Sequence, residues 1–324
     1  MFAIAIWTIL AGAALVAVAF TLDLSRARRA VLSGSTIINT SAGPVEYAEQ
    51  GEGIPLLSIH GAGGGFDQGL ANVEGFVGQG YRVIAPSRFG YLRTPAPPGA
   101  SPATQADAHA ALLSVLRIPQ AIVVGVSAGA VSAVELALRH PGRVAALVLV
   151  VPGTYSPTSP VAVDGSRGSR LVLWLVNVGA DFFWWVAEKI APSILVRFCG
   201  VPPPLFRRSS KAERDRVMRV VRSMQPLSLR FRGINLDSTP NLHPLPLERI
   251  AAPALVISAH DDLFNTAPAA EFAARSIPGA RLVLFETGGH LLMGRQDEVR
   301  ATVQDFLASI AATPLRATAG IDAG

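Results

Sequence analysis

An α/β architecture, a mainly parallel sheet with helices on both faces, is the fold class this sequence predicts, and three observations carry it. Near-continuous apolar runs recur as PLLSI (55–59), YRVIA (81–85), AIVVG (121–125) and AALVLV (145–150), with ALVIS (254–258) and RLVLF (281–285) near the end. Strands this apolar are typical of parallel sheets covered on both faces. Helical patterns alternate with them, clearest in ATQADAHAALLSVLRI and AGAVSAVELALRH, the second stopped by Pro141 and Gly142. The third observation is composition. Of 324 residues 50% are hydrophobic and 16% charged, enough for a large core and too apolar for disorder.

Taken in order, Met1 to Leu22 carry no charged side chain. At about 1.5 Å per helical residue that run is long enough to cross a hydrocarbon layer of about 30 Å. Residues 1–24 are therefore expected to form an uncleaved membrane anchor. The competing expectation is a secretory signal cut after AVA (17–19), although the basic start of such a signal is missing. Arg26, Arg28 and Arg29 come directly after the span, and the positive-inside tendency would keep the catalytic part in the cytoplasm. Next, STIINT and VEYAEQ alternate as an antiparallel edge hairpin would. From residue 153 to 249 the strand–helix rhythm stops. Prolines (VPPPL), an aromatic cluster (DFFWWV) and a basic stretch (SKAERDRVMRVVRS) stand there instead. A helical insertion covering one sheet edge is the expectation. Asp181, Glu188, Lys189 and Pro192 interrupt its most apolar part and argue against a second membrane span. DEVRATVQDFLASIA closes the fold as an amphipathic helix, and residues 312–324 read as a flexible tail. The core thus comprises 36–152 and 250–311.

The stretch GVSAGA (125–130) follows an apolar strand and opens a helix. G-x-S-x-G in that setting is a nucleophile elbow. The serine must adopt a strained backbone conformation, so the positions two before and two after it cannot hold bulky side chains. Its hydroxyl then stands at the N-terminus of the next helix, where the Ala128 N–H can stabilise an oxyanion. A serine needs a base. His290, in ETGGHLLM after the last strand, is placed to swing over the sheet edge. His60, His109, His140, His243 and His260 sit in less suitable contexts. The imidazole needs a carboxylate, and SAHDDLF supplies one after ALVIS. The order serine, aspartate, histidine is that of an α/β-hydrolase triad.

From about residue 36 to 311 the chain resembles the α/β-hydrolase superfamily, and the resemblance implies an α/β-hydrolase fold whose insertion is a helical cap. In that family the acid often stands as G-x-x-D. Here Ala259 takes the glycine position, which aligns Asp262 with the acid and leaves Asp261 beside it. The resemblance also implies a second oxyanion donor in HGAGGG (60–65), namely Ala62, with Gly63 as the lesser candidate. Arg88 and Tyr91, in the loop after the fourth strand, either line the pocket mouth or pack the loop. Trp184 and Trp185 either pack the cap or line an acyl pocket.

Several function classes fall away. No zinc spacing, P-loop or arginine-rich tail is present, so nucleic acid is not an expected partner. His260 beside Asp261 is too little for a metal site, and no cofactor is expected. The one cysteine, Cys199, excludes an internal disulfide and reads as a small buried hydrophobe. A serine nucleophile disfavours the dehalogenase and epoxide hydrolase chemistries, which in this fold use aspartate. The expected activity is hydrolysis of small carboxylic esters, lipophilic ones above all, through an acyl-enzyme. Carbon–carbon bond hydrolysis or a haloperoxidase-like perhydrolysis with the same triad is the alternative. A membrane-tethered binding protein is the third class, and an intact Ser, His and Asp set weighs against it. Nine basic residues between Arg207 and Arg232 against two acidic ones suggest a surface for anionic lipid headgroups.

Overall fold

A computed structural model describes residues 1–158, 167–238 and 242–311. The expected tail, 312–324, lies outside the described residues. Helix α1 (Phe2–Ser33) leads into a hairpin of β1 (Thr36–Thr40) and β2 (Gly43–Gln50). Then come β3 (Ile54–Ile59), α2 (Phe66–Glu74), β4 (Tyr81–Pro86), α3 (Pro102–Val115), β5 (Ala121–Val126), α4 (Gly129–Arg139) and β6 (Val144–Val150). Between β6 and β7 the described residues form helices α5 (Arg167–Asn177), α6 (Asp181–Ile190), α7 (Pro192–Phe198), α8 (Pro203–Arg208), α9 (Lys211–Ser223) and α10 (Phe231–Ser238). The chain closes with β7 (Ala254–Ala259), α11 (Ala267–Ser276), β8 (Arg281–Phe285) and α12 (Gln296–Ala311).

Eight strands form one sheet in the order β1-β2-β4-β3-β5-β6-β7-β8. The hairpin is antiparallel and joins β4 antiparallel, while β4, β3, β5, β6, β7 and β8 run parallel. Side chains of a strand alternate between faces, and β6 shows why its run is apolar throughout. Leu147 and Leu149 enter a cluster with α3, α4 and α11, whereas Val148 and Val150 enter one with α2 and α12. The cap has its own core around Trp184, Leu195, Val196, Val217, Val221 and Leu227. All parallel strands point the same way, so the loops leaving β3, β5, β7 and β8 gather at one edge.

The first helix is longer than the apolar run. It continues through the arginines to Ser33, because Arg and Ala sustain a helix and tertiary contacts hold its last turns. Val31 is buried with Ala48, Phe66 and Ala85, and Gly34 ends the helix. Of the nine basic residues from Arg207 to Arg232, Lys211, Arg216, Arg222 and Arg230 have carboxylate partners in Asp215, Glu213, Glu188 and Asp67. These pairs leave less free charge for headgroups than the sequence suggests.

Candidate active site

Ser127 stands at the tip of the β5–α4 turn with φ of +53°, a left-handed conformation that costs a non-glycine residue strain. Three hydrogen bonds hold it there. The Ser127 amide donates to the Val150 carbonyl (2.9 Å), and the Ser127 carbonyl accepts from Gly153 (2.9 Å) and Ala130 (3.0 Å). The flanking glycines answer to close packing. A Cβ on Gly125 would lie 2.6 Å from the Ala133 methyl, and one on Gly129 would collide with the carbonyls of Ile59 and His60. Helix α4 must therefore press against β3 for the serine to clear the sheet edge.

His290 brings its ring over this edge. Its Nε2 is 2.8 Å from Ser127 Oγ, and its Nδ1 is 2.8 Å from Asp262 Oδ2. The carboxylate accepts the Nδ1–H, so Nε2 keeps the lone pair that faces the serine hydroxyl. The Asp262 side chain is fully buried and its oxygens are well satisfied. Oδ1 accepts from the Phe264 amide (2.8 Å), and Oδ2 also accepts from the Thr266 hydroxyl. The edge of Phe264 packs on the imidazole, with ring centroids 4.5 Å apart. These contacts hold the carboxylate in place, and it in turn fixes the ring's orientation.

Asp261, the neighbouring candidate, turns the other way. Its Oδ1 accepts from the amides of Gly288 (2.8 Å) and Gly289 (2.7 Å), the two residues before His290. It holds the histidine loop and does not touch the ring.

In HGAGGG the amides divide by partner. Gly61 N–H donates to Gln68 Oε1 (2.9 Å) and Gly63 N–H points at Tyr91 Oη (3.3 Å). Ala62 lies exposed between them, and among the described residues its amide has no acceptor, nor has that of Ala128. This favours Ala62 over Gly63 as the second donor. The loop also reaches the serine, since a Cβ on Gly61 would lie 3.1 Å from Ser127 Cβ.

Arg88 and Tyr91 do not line a pocket mouth. Arg88 is buried, donates to the His60 carbonyl (2.9 Å) and forms a two-pronged pair with Asp237 on α10 (2.8 and 2.6 Å). Burial works against its charge, and the Asp237 carboxylate outweighs that effect and raises its pKa. Tyr91 is fully buried and donates its hydroxyl to Asp237 as well. Burial, and then the carboxylate, push the phenol well above its ordinary pKa, so it stays protonated. His60 is equally dry. Burial, and then Arg88, hold it well below the usual histidine range. Its neutral ring donates from Nδ1 to the Gly61 carbonyl (2.7 Å) and accepts the Arg88 amide at Nε2 (2.9 Å). A second cap residue, the fully buried Arg230, pairs with Asp67 in the first turn of α2 (2.6 and 3.1 Å). The donor loop is thus held from the cap by Asp237 and Arg230, two residues that no local motif marks. Asp237→Asn is expected to lower kcat about tenfold or more with KM little changed, because a weakened Arg88 pair loosens the loop that presents Ala62. Steady-state kinetics alongside a thermal melt would check this. An equal fall in activity and folded fraction would reduce Asp237 to a packing role.

Trp184 and Trp185 are committed elsewhere too. Trp184 lies in the cap core, donates to the Val221 carbonyl (3.1 Å) and packs edge-on to Phe198. Trp185 is buried against α1, where its indole donates to Asp23 (3.0 Å) and meets Phe20 at 5.8 Å. Neither contact places an indole in an acyl pocket. The cap also brings Met224 to the donor loop, where its thioether closes on Gly63, and Cys199 lies 4.0 Å from the Met224 sulfur. Burial pushes the Cys199 thiol up to about 12, which keeps it protonated. The cap also carries Gly200, whose carbonyl accepts from both Leu263 (3.1 Å) and His290 (3.0 Å). It therefore touches the acid loop and the histidine loop at once.

Residues 56–302 match the alpha/beta hydrolase family, and the chain belongs to it. An uncharacterised hydrolase of Bacillus subtilis, YcgS, is 28% identical over 266 residues, 79% of this chain and 91% of that protein. A 2-hydroxy-6-oxononadienedioate/2-hydroxy-6-oxononatrienedioate hydrolase of Dechloromonas aromatica is 26% identical over 274 residues, 81% of this chain and 90% of its own length. An alpha/beta hydrolase fold protein from Nakamurella multipartita superposes with a TM-score of 0.67 at 29% identity, covering 84% of this chain and 98% of that one. The chain is a hydrolase of this fold. Of these three, only the Dechloromonas protein is named for a substrate.

Proposed function

We propose that the chain hydrolyses carboxylic esters through an acyl-enzyme on Ser127. The observation that carries this is the relay of two 2.8 Å contacts, Ser127 Oγ to His290 Nε2 and His290 Nδ1 to Asp262. Ser127 Oγ attacks the acyl carbon and its proton passes to His290 Nε2. The carbonyl oxygen takes the negative charge between the amides of Ala128 and Ala62, aided by the N-terminus of α4. His290 then gives its proton to the departing alkoxide, and the alcohol leaves. In the second half, His290 takes a proton from water, whose oxygen attacks the acyl carbon. Collapse returns the proton to Ser127 and frees the acid. Asp262 keeps the imidazole in the working tautomer and stabilises its cation throughout.

A carbon–carbon hydrolase is the second reading, supported by the Dechloromonas relative. The substrate named for that relative is a dianion, which calls for cations in the pocket. Here the two arginines held against the donor loop, Arg88 and Arg230, are already neutralised by Asp237 and Asp67. Met224 against the loop and Phe264 against the histidine are apolar neighbours. Both observations support a neutral, lipophilic acyl group. Kinetics on 4-nitrophenyl esters of graded chain length and on a 2-hydroxy-6-oxodienoate would decide. The expected result is kcat/KM at least about a hundredfold higher for the medium-chain ester. A higher value for the dienoate would establish the second reading.

We further propose that α1 is retained as a membrane anchor with the hydrolase domain on the cytoplasmic side, its substrate and lipid the expected partners. Its first 22 residues are uncharged, and the helix runs unbroken past Ala17–Ala19 into residues that pack on the domain.

A further inference from the structure

The cap carries an apolar face that its own core does not use. On α6 the positions Asp181, Trp184, Trp185 and Glu188 are buried, at spacings of three and four that mark one helix face. Phe182, Phe183 and Ile190 consequently face outward, 40%, 57% and 78% exposed. Trp174 in the last turn of α5, Val178 just after it and Ile194 on α7 are exposed likewise. Single exposed apolar residues need no explanation, but several large ones on three adjoining helices do.

The position of this face identifies its occupant. Phe20, in the last turn of the uncharged run, packs edge-on against Phe182 at 5.2 Å and Trp185 at 5.8 Å. Just beyond it, Asp23 accepts from the Trp185 indole (3.0 Å) and Arg28 lies 3.8 Å from Asp181. Helix α6 is therefore fixed at the level where α1 changes from apolar to charged. The preceding run, at about 1.5 Å per residue, matches the thickness of a hydrocarbon core of about 30 Å. The level of α6 is then the headgroup boundary, where aromatic rings are favoured and Lys and Arg extend to phosphates. Lys189 lies at the same level, 5.6 Å from the Trp185 ring and 3.2 Å from Glu188.

We infer that the outward face of α5–α7 docks into the interfacial layer of the same bilayer that holds α1. The inference rests on the reading of α1 as a retained anchor. It moves the lipid contact from the basic α9 to an apolar surface continuous with the span. Two attachments, one spanning and one interfacial, would then fix the orientation of the cap to the membrane.

The test uses the full chain reconstituted in vesicles of phosphatidylcholine and phosphatidylglycerol. In a Cys199→Ala background, spin labels are placed singly through Leu10→Cys in the span, Val178→Cys and Ile194→Cys on the cap, and Gly142→Cys, where open space surrounds the residue. Relaxation by dissolved oxygen and by a water-soluble nickel chelate reports the depth of each label. The expected result is strong oxygen and weak nickel relaxation at residues 10, 178 and 194, and the reverse at 142. Adding Phe182→Ser and Phe183→Ser should shift the cap labels several-fold toward the pattern of residue 142 while residue 10 stays unchanged. Cap labels that match residue 142 while residue 10 sits in lipid would overturn the docking face and leave the anchor standing. A label at residue 10 open to nickel would overturn the anchor and the docking face together.

Discussion

Ser127→Ala is expected to reduce ester hydrolysis by about 10⁴-fold or more and to abolish labelling by a fluorophosphonate, with the melting transition preserved. The substitution removes one oxygen from a turn whose shape is set by backbone hydrogen bonds to Val150, Gly153 and Ala130, so the turn itself should survive. The two aspartates then separate by role. Asp262→Asn keeps the size but presents an amide to the ring, which favours the tautomer with its lone pair turned from Ser127. A loss near 10⁴-fold is expected. Asp261→Asn keeps an oxygen for the amides of Gly288 and Gly289 and should cost less than about tenfold. Asp261→Ala leaves both amides without that partner and should fall between the two, through the histidine loop. Pre-steady-state measurement of the acylation burst across these four variants would check the ranking. An Asp261→Asn enzyme more damaged than Asp262→Asn would move the acid by one residue.

What could be read in the sequence depended on whether the physical demand was local. Ser127 was legible because the need for small neighbours falls within five residues, and the structure shows what fills the space that larger ones would occupy. The sheet was legible because strands buried on both faces must be apolar throughout, as β6 is. His290 and an aspartate in SAHDDLF followed from chain order once the strands were placed, and the family resemblance chose Asp262 over Asp261. Other features depend on docking between distant segments. Asp237 meets Arg88 across 149 positions and Arg230 meets Asp67 across 163, and neither pair leaves a local pattern. The aromatic run DFFWWV was ambiguous for a related reason. Four adjacent rings give no helical phase, and the residues that would have given it, Asp181 and Glu188, are carboxylates that read as solvated. They are buried because Ser228 satisfies one and Arg222 the other. Their partners turn Trp184 and Trp185 inward and leave Phe182 and Phe183 outside.

Gly200 is the cap residue from which the largest single effect is expected. It adopts φ of +76°, and a Cβ added there would lie 2.5 Å from His290 Cβ and 2.9 Å from the Phe264 ring. Its carbonyl also accepts the amides of His290 and Leu263, so the crowded atoms belong to both loops that orient the imidazole. Gly200→Ala therefore adds a methyl where nothing can yield except the histidine loop or the cap. Displacing an imidazole by about 1 Å from a serine hydroxyl costs on the order of 10²-fold. A fall of that size in kcat is expected, together with a stability loss of about 1 kcal/mol or more from the left-handed backbone. Gly99 separates the two causes. Its φ is +74° and open space surrounds it, so Gly99→Ala carries the same backbone strain without the crowding. Both variants should melt lower than the parent, but only Gly200→Ala should lose turnover. Equal activity in the two would mean that the cap accommodates the methyl and that His290 is held by Asp262 and Asp261 alone. A selective loss in Gly200→Ala would show that the cap sets the position of His290.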